Sequence, residues 1–286
     1  MKSFPRTVKQ IIEPRAVTEG AGVRLKRSIG TQSLDYLDPF LLLDHFASTD
    51  PRDYKAGFPL HPHRGIETVT YLLSGAVSHK DTLGNSGTLA AGDVQWMTAG
   101  RGIMHEEMPQ VRPEGIAGFQ LWVNLPAKLK MTEPRYQNIQ ASEIPANKKE
   151  NGVTIRVITG EVDGVRGPVS GIAIAPVYMD VSVPPKTDFV QALDPAHTAF
   201  AYVFEGSARF SVDGEREAIA IDHPKLLVFG AGDSIDVMTT ESPVRFLLVS
   251  GKPLGEPVAR YGPFVMNTKQ EIEQALVDLQ RGTFVG

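Results

Sequence analysis

Gly57-Phe58-Pro59-Leu60-His61-Pro62-His63-Arg64-Gly65-Ile66-Glu67-Thr68-Val69-Thr70-Tyr71-Leu72-Leu73-Ser74-Gly75 is the stretch on which the fold turns. Glu67 to Leu73 reads as a strand, Ser74-Gly75 as turn material, and Ala76 to Lys80 as the returning strand. His61 and His63 stand two residues apart. In an extended strand such residues point to the same face. A second pair with this spacing, His105 and Glu107, lies in Gly102-Ile103-Met104-His105-Glu106-Glu107-Met108. Two such strands can aim four ligands at one ion. His61, His63, His79 and His105 are four of only seven histidines in the chain, so their crowding points to a site.

The composition narrows what that site can be. The 286 residues suffice for about two domains. There is no cysteine, so disulfides, thiolate nucleophiles and thiolate-zinc sites are excluded. Any metal must be held by His, Asp, Glu, amides, backbone or water. The formal net charge is −4 with no basic block, which argues against direct nucleic-acid binding. Met1-Lys2-Ser3-Phe4-Pro5-Arg6 lacks the apolar run of a signal peptide. No segment approaches the roughly 18 apolar residues of a membrane span. The expectation is a soluble, cytoplasmic protein. No P-loop, dinucleotide fingerprint or Ser-His-Asp arrangement is legible.

Glycines and prolines punctuate short runs of Val, Leu, Ile, Tyr and Phe throughout, the pattern of an all-β sandwich or barrel. The pattern also echoes itself. Tyr71-Leu72-Leu73-Ser74-Gly75 resembles Tyr202-Val203-Phe204-Glu205-Gly206, and Ala91-Gly92-Asp93 recurs as Ala231-Gly232-Asp233. Two tandem β-domains follow, 1–135 and 136–286, although terminal segments can cross between sheets. Lys128 to Asn151, polar and broken by Pro134 and Pro145, reads as the linker. Thr268-Lys269-Gln270-Glu271 is a capping box. It opens a short C-terminal helix with Ile272, Leu276 and Leu279 on one face.

The ligand-bearing stretches approximate the two cupin motifs. Gly57, His61, His63, Glu67 and Gly75 stand for the first, and Gly92, Thr98, Gly100 and His105 for the second. Spacings depart from the general cupin pattern, and Thr98 replaces its usual proline. A closer match is found in longer segments. His61 to Val69, Gly92 to His105, Gly118 to Leu125 and Tyr261 to Thr268 together resemble the pirin family, in the family's order and over most of the chain.

The resemblance implies a bicupin: two tandem cupin β-barrels, of double-sheet jelly-roll type. It implies one divalent transition metal in the N-terminal domain, normally iron as Fe(II), bound by His61, His63, His105 and Glu107. This donor set also suits Mn, Co, Ni, Cu or Zn, and zinc could be held tetrahedrally with no open position. Glu106 should face away from His105. In cupins at large the Glu67 position often supplies the carboxylate ligand; otherwise Glu67 can orient a histidine through a hydrogen bond. The activity implied is that of a quercetin 2,3-dioxygenase, an oxidoreductase cleaving a flavonol-like substrate with O2, with Glu107 as ligand and catalytic base. The alternative is a metal- or redox-dependent regulator acting through a protein partner, such as a transcriptional cofactor or metabolic-enzyme modulator.

Other residues receive plainer readings. Carrying the two internal echoes forward places Ala192 and Asp194 at the positions of His61 and His63, and Arg245 and Leu247 at those of His105 and Glu107. The second domain therefore lacks a ligand set. His45, His79, His197 and His223 read as structural or solvent-exposed. Arg64 and Arg101 read as ordinary hydrogen-bonding groups, and Trp96, Met97 and Trp122 as core. Phe46 and Phe58 are candidates for the mouth of the site.

Overall fold

The computed structural model describes residues 4–285. Met1, Lys2 and Ser3, which open the segment read as lacking a signal peptide, lie outside the described residues. The chain forms two compact units, each built around antiparallel sheet. The expected division at residue 135 needs correction. Residues 4–14 belong with Ser142–Pro253, and Arg15–Ala141 belongs with residues 254–285. The reason is strand pairing at both ends. Val8–Ile12 adds an edge strand to Lys225–Phe229. In the other unit, the Val265 backbone N–H donates to the Arg64 carbonyl at 3.1 Å. The expected linker also carries two strands. Arg135–Ile139 pairs with Val94–Thr98, and Ala146–Lys148 pairs with Thr154–Thr159.

The first unit carries the histidines. Its four-stranded sheet runs in the order Phe58–His63, Ile103–Pro109, Ala76–Asp81, Ser86–Ala90. Its seven-stranded sheet runs Arg135–Ile139, Val94–Thr98, Ile66–Ser74, Ile116–Asn124, Phe40–Ser48, Val23–Ile29, Arg15–Glu19. The centre of the larger sheet is buried on both faces, which is why Phe40–Leu43 and Ile66–Leu72 read as nearly unbroken buried runs. Alternation still sorts the faces. Leu42, Asp44, Phe46, Thr70, Gln120 and Trp122 face a cavity between the sheets. Leu41, Leu43, Val69, Tyr71, Phe119 and Leu121 bury the other face.

The tail of the chain locks the histidine loop. Gly65 has φ +78°, and a Cβ there would lie 2.0 Å from the Val265 carbonyl oxygen, so only glycine lets the two segments approach. Lys130, 1% exposed, donates to the Gly65 carbonyl at 2.9 Å, the Val265 carbonyl at 2.8 Å and the Asn124 side-chain oxygen at 2.8 Å. All three of its N–H bonds are thus used. The helix Lys269–Arg281 has the expected capping box and ends at Gly282 in the left-handed region. Ile272 and Ala275 are buried with Phe264, Met266 and Phe284, and Leu276 and Leu279 pack on that cluster.

The second unit has a ten-stranded sheet. Its main path runs Val8–Ile12, Lys225–Phe229, Thr198–Phe210, Val244–Gly251, Val177–Val183, Thr154–Thr159, Ala146–Lys148. Asp188–Ala192 and Ser234–Met238 form the opposing flank with the far end of Thr198–Phe210. Its interior is a continuous apolar cluster including Phe189, Phe210, Ile235, Val237 and Phe246. Among the described residues, no helix is long and apolar enough to cross a membrane.

Candidate metal centre

His61 and His63 end one strand, and His105 stands directly across from His61 on its antiparallel neighbour. The three imidazoles converge. Ring centroids are separated by 4.8 Å for His61 and His63, 4.5 Å for His61 and His105, and 5.1 Å for His63 and His105. One candidate ligand atom from each lies within 4.8 Å of the others. His63 and His105 are buried and His61 is half-buried.

The nitrogens show how these rings would present themselves to an ion. His61 Nδ1 lies 2.9 Å from the Pro59 carbonyl oxygen, which can only accept. Nδ1 therefore carries the proton, and the Nε2 lone pair is free. That Nε2 is 3.0 Å from His63 Nε2. Two nitrogens at about 2.1 Å from one ion, at right angles, would be about 3 Å apart. His63 Nδ1 and both His105 nitrogens are buried without a hydrogen-bond partner. Buried polar atoms left in this state are costly and uncommon. The cluster therefore fits a cation on geometry and on polar satisfaction, and it can bind a metal.

Electrostatics favour neutral, ligating imidazoles. Burial first, then His105 and His61, hold His63 well below the usual histidine range; the Pro263 carbonyl opposes this without completing a normal hydrogen bond. Burial, then His61 and His79, pull His105 down to about 3, against Asp81.

Glu107 lines the same cavity as His61 and His63, whereas Glu106 does not. The close group of ligand atoms comprises the three imidazoles. Glu107 Oε1 instead lies 3.2 Å from the Thr70 hydroxyl, which is 2.7 Å from the Gln120 amide. One hydroxyl proton serves one acceptor. The Thr70 hydroxyl stands between two acceptors, the Gln120 side-chain oxygen at 2.7 Å and Glu107 Oε1 at 3.2 Å, and the shorter contact takes its proton. Burial raises the Glu107 pKa, against His61, Thr70 and His79.

Glu67 is placed elsewhere. It is buried on the face of its strand opposite Thr70, away from the cavity, and accepts from the Thr98 hydroxyl at 2.7 Å. Burial raises its pKa, against that hydrogen bond. Arg64 is buried rather than superficial. It donates to the Arg101 carbonyl, to Asp278 at 2.7 Å and to the Phe284 carbonyl at 3.2 Å, tying the histidine loop to the C-terminal helix. Arg101 pairs with Glu133 at 2.9 Å.

One residue departs from its sequence reading. Trp122 is a cavity wall, edge-on to His63 with centroids 5.2 Å apart, while Trp96 and Met97 are core. His79, directly across from Glu107, is buried, and its ring stacks at 6.0 Å on Tyr136. A Cβ on the facing Gly87 would meet its Nε2 at 2.7 Å. Phe46 and Phe58 do line the cavity.

In the second unit, the sequence echo misplaced the counterpart of His105. Val244–Gly251 lies between Thr198–Phe210 and Val177–Val183, as Ile116–Asn124 lies between Ile66–Ser74 and Phe40–Ser48. Arg245 and Leu247 therefore correspond to that central strand. The counterpart of Ile103–Pro109 is Ser234–Met238, which pairs with Asp188–Ala192. The Ala-Gly-Asp motif marks different turns in the two units, and this is why the alignment slipped. Arg245 pairs through two nitrogens with Asp180, at 3.0 and 2.7 Å.

Comparison with known proteins agrees with this architecture. Residues 22–123 match the pirin family model and residues 178–285 the pirin C-terminal cupin domain. A pirin-like protein of Caulobacter vibrioides is 43% identical over 280 residues, covering 98% of this chain and 99% of its own. Human pirin is 44% identical over 269 residues, 93% of this chain and 89% of its own. The crystal structure of quercetin 2,3-dioxygenase from Acinetobacter baumannii superposes with a TM-score of 0.86 at 34% identity, covering 98% of both chains. With two cupin units in this order and a convergent histidine triad in the first, the chain belongs to the pirin family.

Proposed function

We propose that this pirin is a metal-dependent dioxygenase of the quercetin 2,3-dioxygenase type, with iron(II) held by His61, His63, His105 and Glu107. The observation that carries the reading is the triad itself, with imidazole nitrogens unpartnered and with His61 and His63 at the wall of a cavity of about 370 Å³. That volume is at the lower end for small-molecule sites. The Acinetobacter relative, by its name, gives the substrate class.

When bound, iron(II) would supply Lewis acidity for a deprotonated flavonol and a redox partner for O2. The chain's residues prepare that chemistry. The Pro59 carbonyl fixes the His61 tautomer, which leaves its Nε2 lone pair available to hold a metal. Glu107 accepts the flavonol hydroxyl proton as the general base. Thr70 stands within hydrogen-bonding distance of that carboxylate. Phe46, Phe58 and Trp122 flank the substrate and exclude water. The overall reaction would consume the flavonol and O2 and give carbon monoxide and a depside.

The test is quercetin turnover by metal-quantified protein, with a His61→Ala/His105→Ala variant as control. The expected result is loss of flavonol absorbance with O2 uptake, proportional to bound metal and absent in the variant. One metal per chain with no turnover would overturn the flavonol assignment and turn attention to another substrate or to partner binding.

A further inference from the structure

The cavity has a second polar pole. Glu19, Arg27, Asp44 and Arg260 line it together with the metal-side residues. Three of these four are committed to each other. Arg27 donates from Nε and Nη2 to the two Asp44 oxygens, both at 2.8 Å, and from Nη1 to Glu19 at 2.8 Å. Each guanidinium nitrogen of Arg27 is engaged, and the Asp44 carboxylate is occupied.

Arg260 differs. Its guanidinium makes one hydrogen bond, from Nη1 to the Leu41 carbonyl at 3.2 Å. No carboxylate among the described residues forms an ion pair with it. Its Cζ stands 5.2 Å from the centroid of the Trp122 ring, a cation–π placement that orients the group without using its N–H bonds. Trp122 is also the ring that touches His63, at 5.2 Å. One indole thus connects the metal pole to a cation with most of its donors uncommitted. Much of the remaining wall is apolar or aromatic, including Leu25, Leu42, Phe46, Phe58, Val77 and Ile116.

We propose that Arg260 and Trp122 form an anion-recognition subsite, so that the preferred ligand is a planar aryl compound carrying an anionic oxygen group that reaches the Arg260 guanidinium. This rests on the flavonol-type reading of the metal end and adds a selectivity that the triad cannot supply. A guanidinium offers parallel N–H bonds matched to a carboxylate. The Trp122 face supports the adjoining ring by stacking. Arg27 is poorly suited to this role, because its charge is already paired with Asp44 and Glu19.

The experiment is calorimetric binding under anaerobic conditions, on metal-loaded protein. The ligands are 3-hydroxyflavones bearing a carboxylate at the 4′ or 7 position, each against its carboxamide. Both members of a pair present the same metal-binding end, so the affinity ratio isolates the carboxylate. The wild type should prefer one of the two carboxylates over its amide by about 10-fold or more, the size of a charge-assisted hydrogen bond. Arg260→Gln should bring the ratio close to 1, and Arg260→Lys should leave an intermediate preference, since it keeps the charge without the fork. The preference should shrink as salt is raised. A ratio near 1 for both wild-type pairs, or one unchanged in Arg260→Gln, overturns the subsite while leaving the flavonol reading intact. If neither carboxylate nor amide binds, the flavonol reading falls, and the subsite with it. Because the ratio compares two ligands on one protein, a general loss of folding in a variant does not mimic the result.

Discussion

The two units show one strand arrangement used in two ways. In the second, Phe189 on Asp188–Ala192 and Ile235 and Val237 on Ser234–Met238 enter a continuous apolar interior, with Phe246 ringed by Phe189 at 6.1 Å and Phe210 at 6.2 Å. In the first, the corresponding pair of strands carries His61, His63, His105 and Glu107, and the interior keeps a cavity of about 370 Å³. Apolar packing stabilises the one. The other leaves nitrogens buried and unpartnered, a state that a cation relieves. Architecture is shared and chemistry is local, as expected when sites are grafted on folds.

The largest expected effect separates the units by metal. His105→Ala should take metal content, read by elemental analysis, from one per chain to near zero. Its affinity loss should exceed the roughly 100-fold that follows removal of an outer hydrogen-bond partner. Half-occupancy surviving in this variant would mean that the second unit also binds metal, and the contrast would collapse.

Phe246→Ala tests the other side of the comparison. Truncating a fully buried phenylalanine in this cluster should destabilise the second unit by about 3–5 kcal/mol, measured by denaturant unfolding. Metal content of the folded fraction should remain at the wild-type level. A loss of metal without a loss of stability would show that the two interiors are not independent.

Lys130 sharpens the comparison within the first unit, because it binds the tail to the histidine loop. Lys130→Met leaves the carbonyls of Gly65 and Val265 and the side-chain oxygen of Asn124 without their donor. Relief of a buried charge offsets part of that loss, so the net cost should be about 3 kcal/mol. Burial, against Glu256 and Glu271, brings the Lys130 pKa down from 10.5 to about 8. The unfolded chain therefore binds more protons than the folded one between these values, and stability should rise with pH from about 8 to about 10.5. Below about 8 the amine is charged in both states and contributes no slope. Thermal melts across this range should show the rise in the wild type and lose it in Lys130→Met.

The parts of this architecture with strong periodic or local signals were legible in the sequence. The i, i+2 histidines, the alternating strands and the Thr268–Glu271 capping box all depend on residues close in sequence. What escaped depends on distant partners. The domain exchange rests on Val8–Ile12 pairing with Lys225–Phe229, and no local pattern encodes that. Lys128 to Asn151 looked like linker because its two strands, Arg135–Ile139 and Ala146–Lys148, are partly exposed edges. Trp122 read as core because alternation reports which residues share a face, not whether that face meets side chains or a cavity. The slip that assigned Arg245 to the His105 position came from a three-residue turn motif, too short to fix a topological equivalence.

Glu67 gives the smallest expected effect and the finest division between ligand and scaffold. It sits one strand position from residues on the cavity face, yet alternation turns it to the opposite side, where it accepts from Thr98 at 2.7 Å. Its raised pKa means that a neutral side chain of the same shape is tolerated there. Glu67→Gln keeps an oxygen for the Thr98 hydroxyl, so stability should fall by less than about 1 kcal/mol. Metal affinity, measured by competition with a chelator, should stay within about 2-fold of wild type, against the roughly 10–100-fold loss expected if Glu67 oriented a ligating histidine. A loss in that larger range would mean that this carboxyl acts on the metal centre through its strand, and that the two faces of the sheet are coupled.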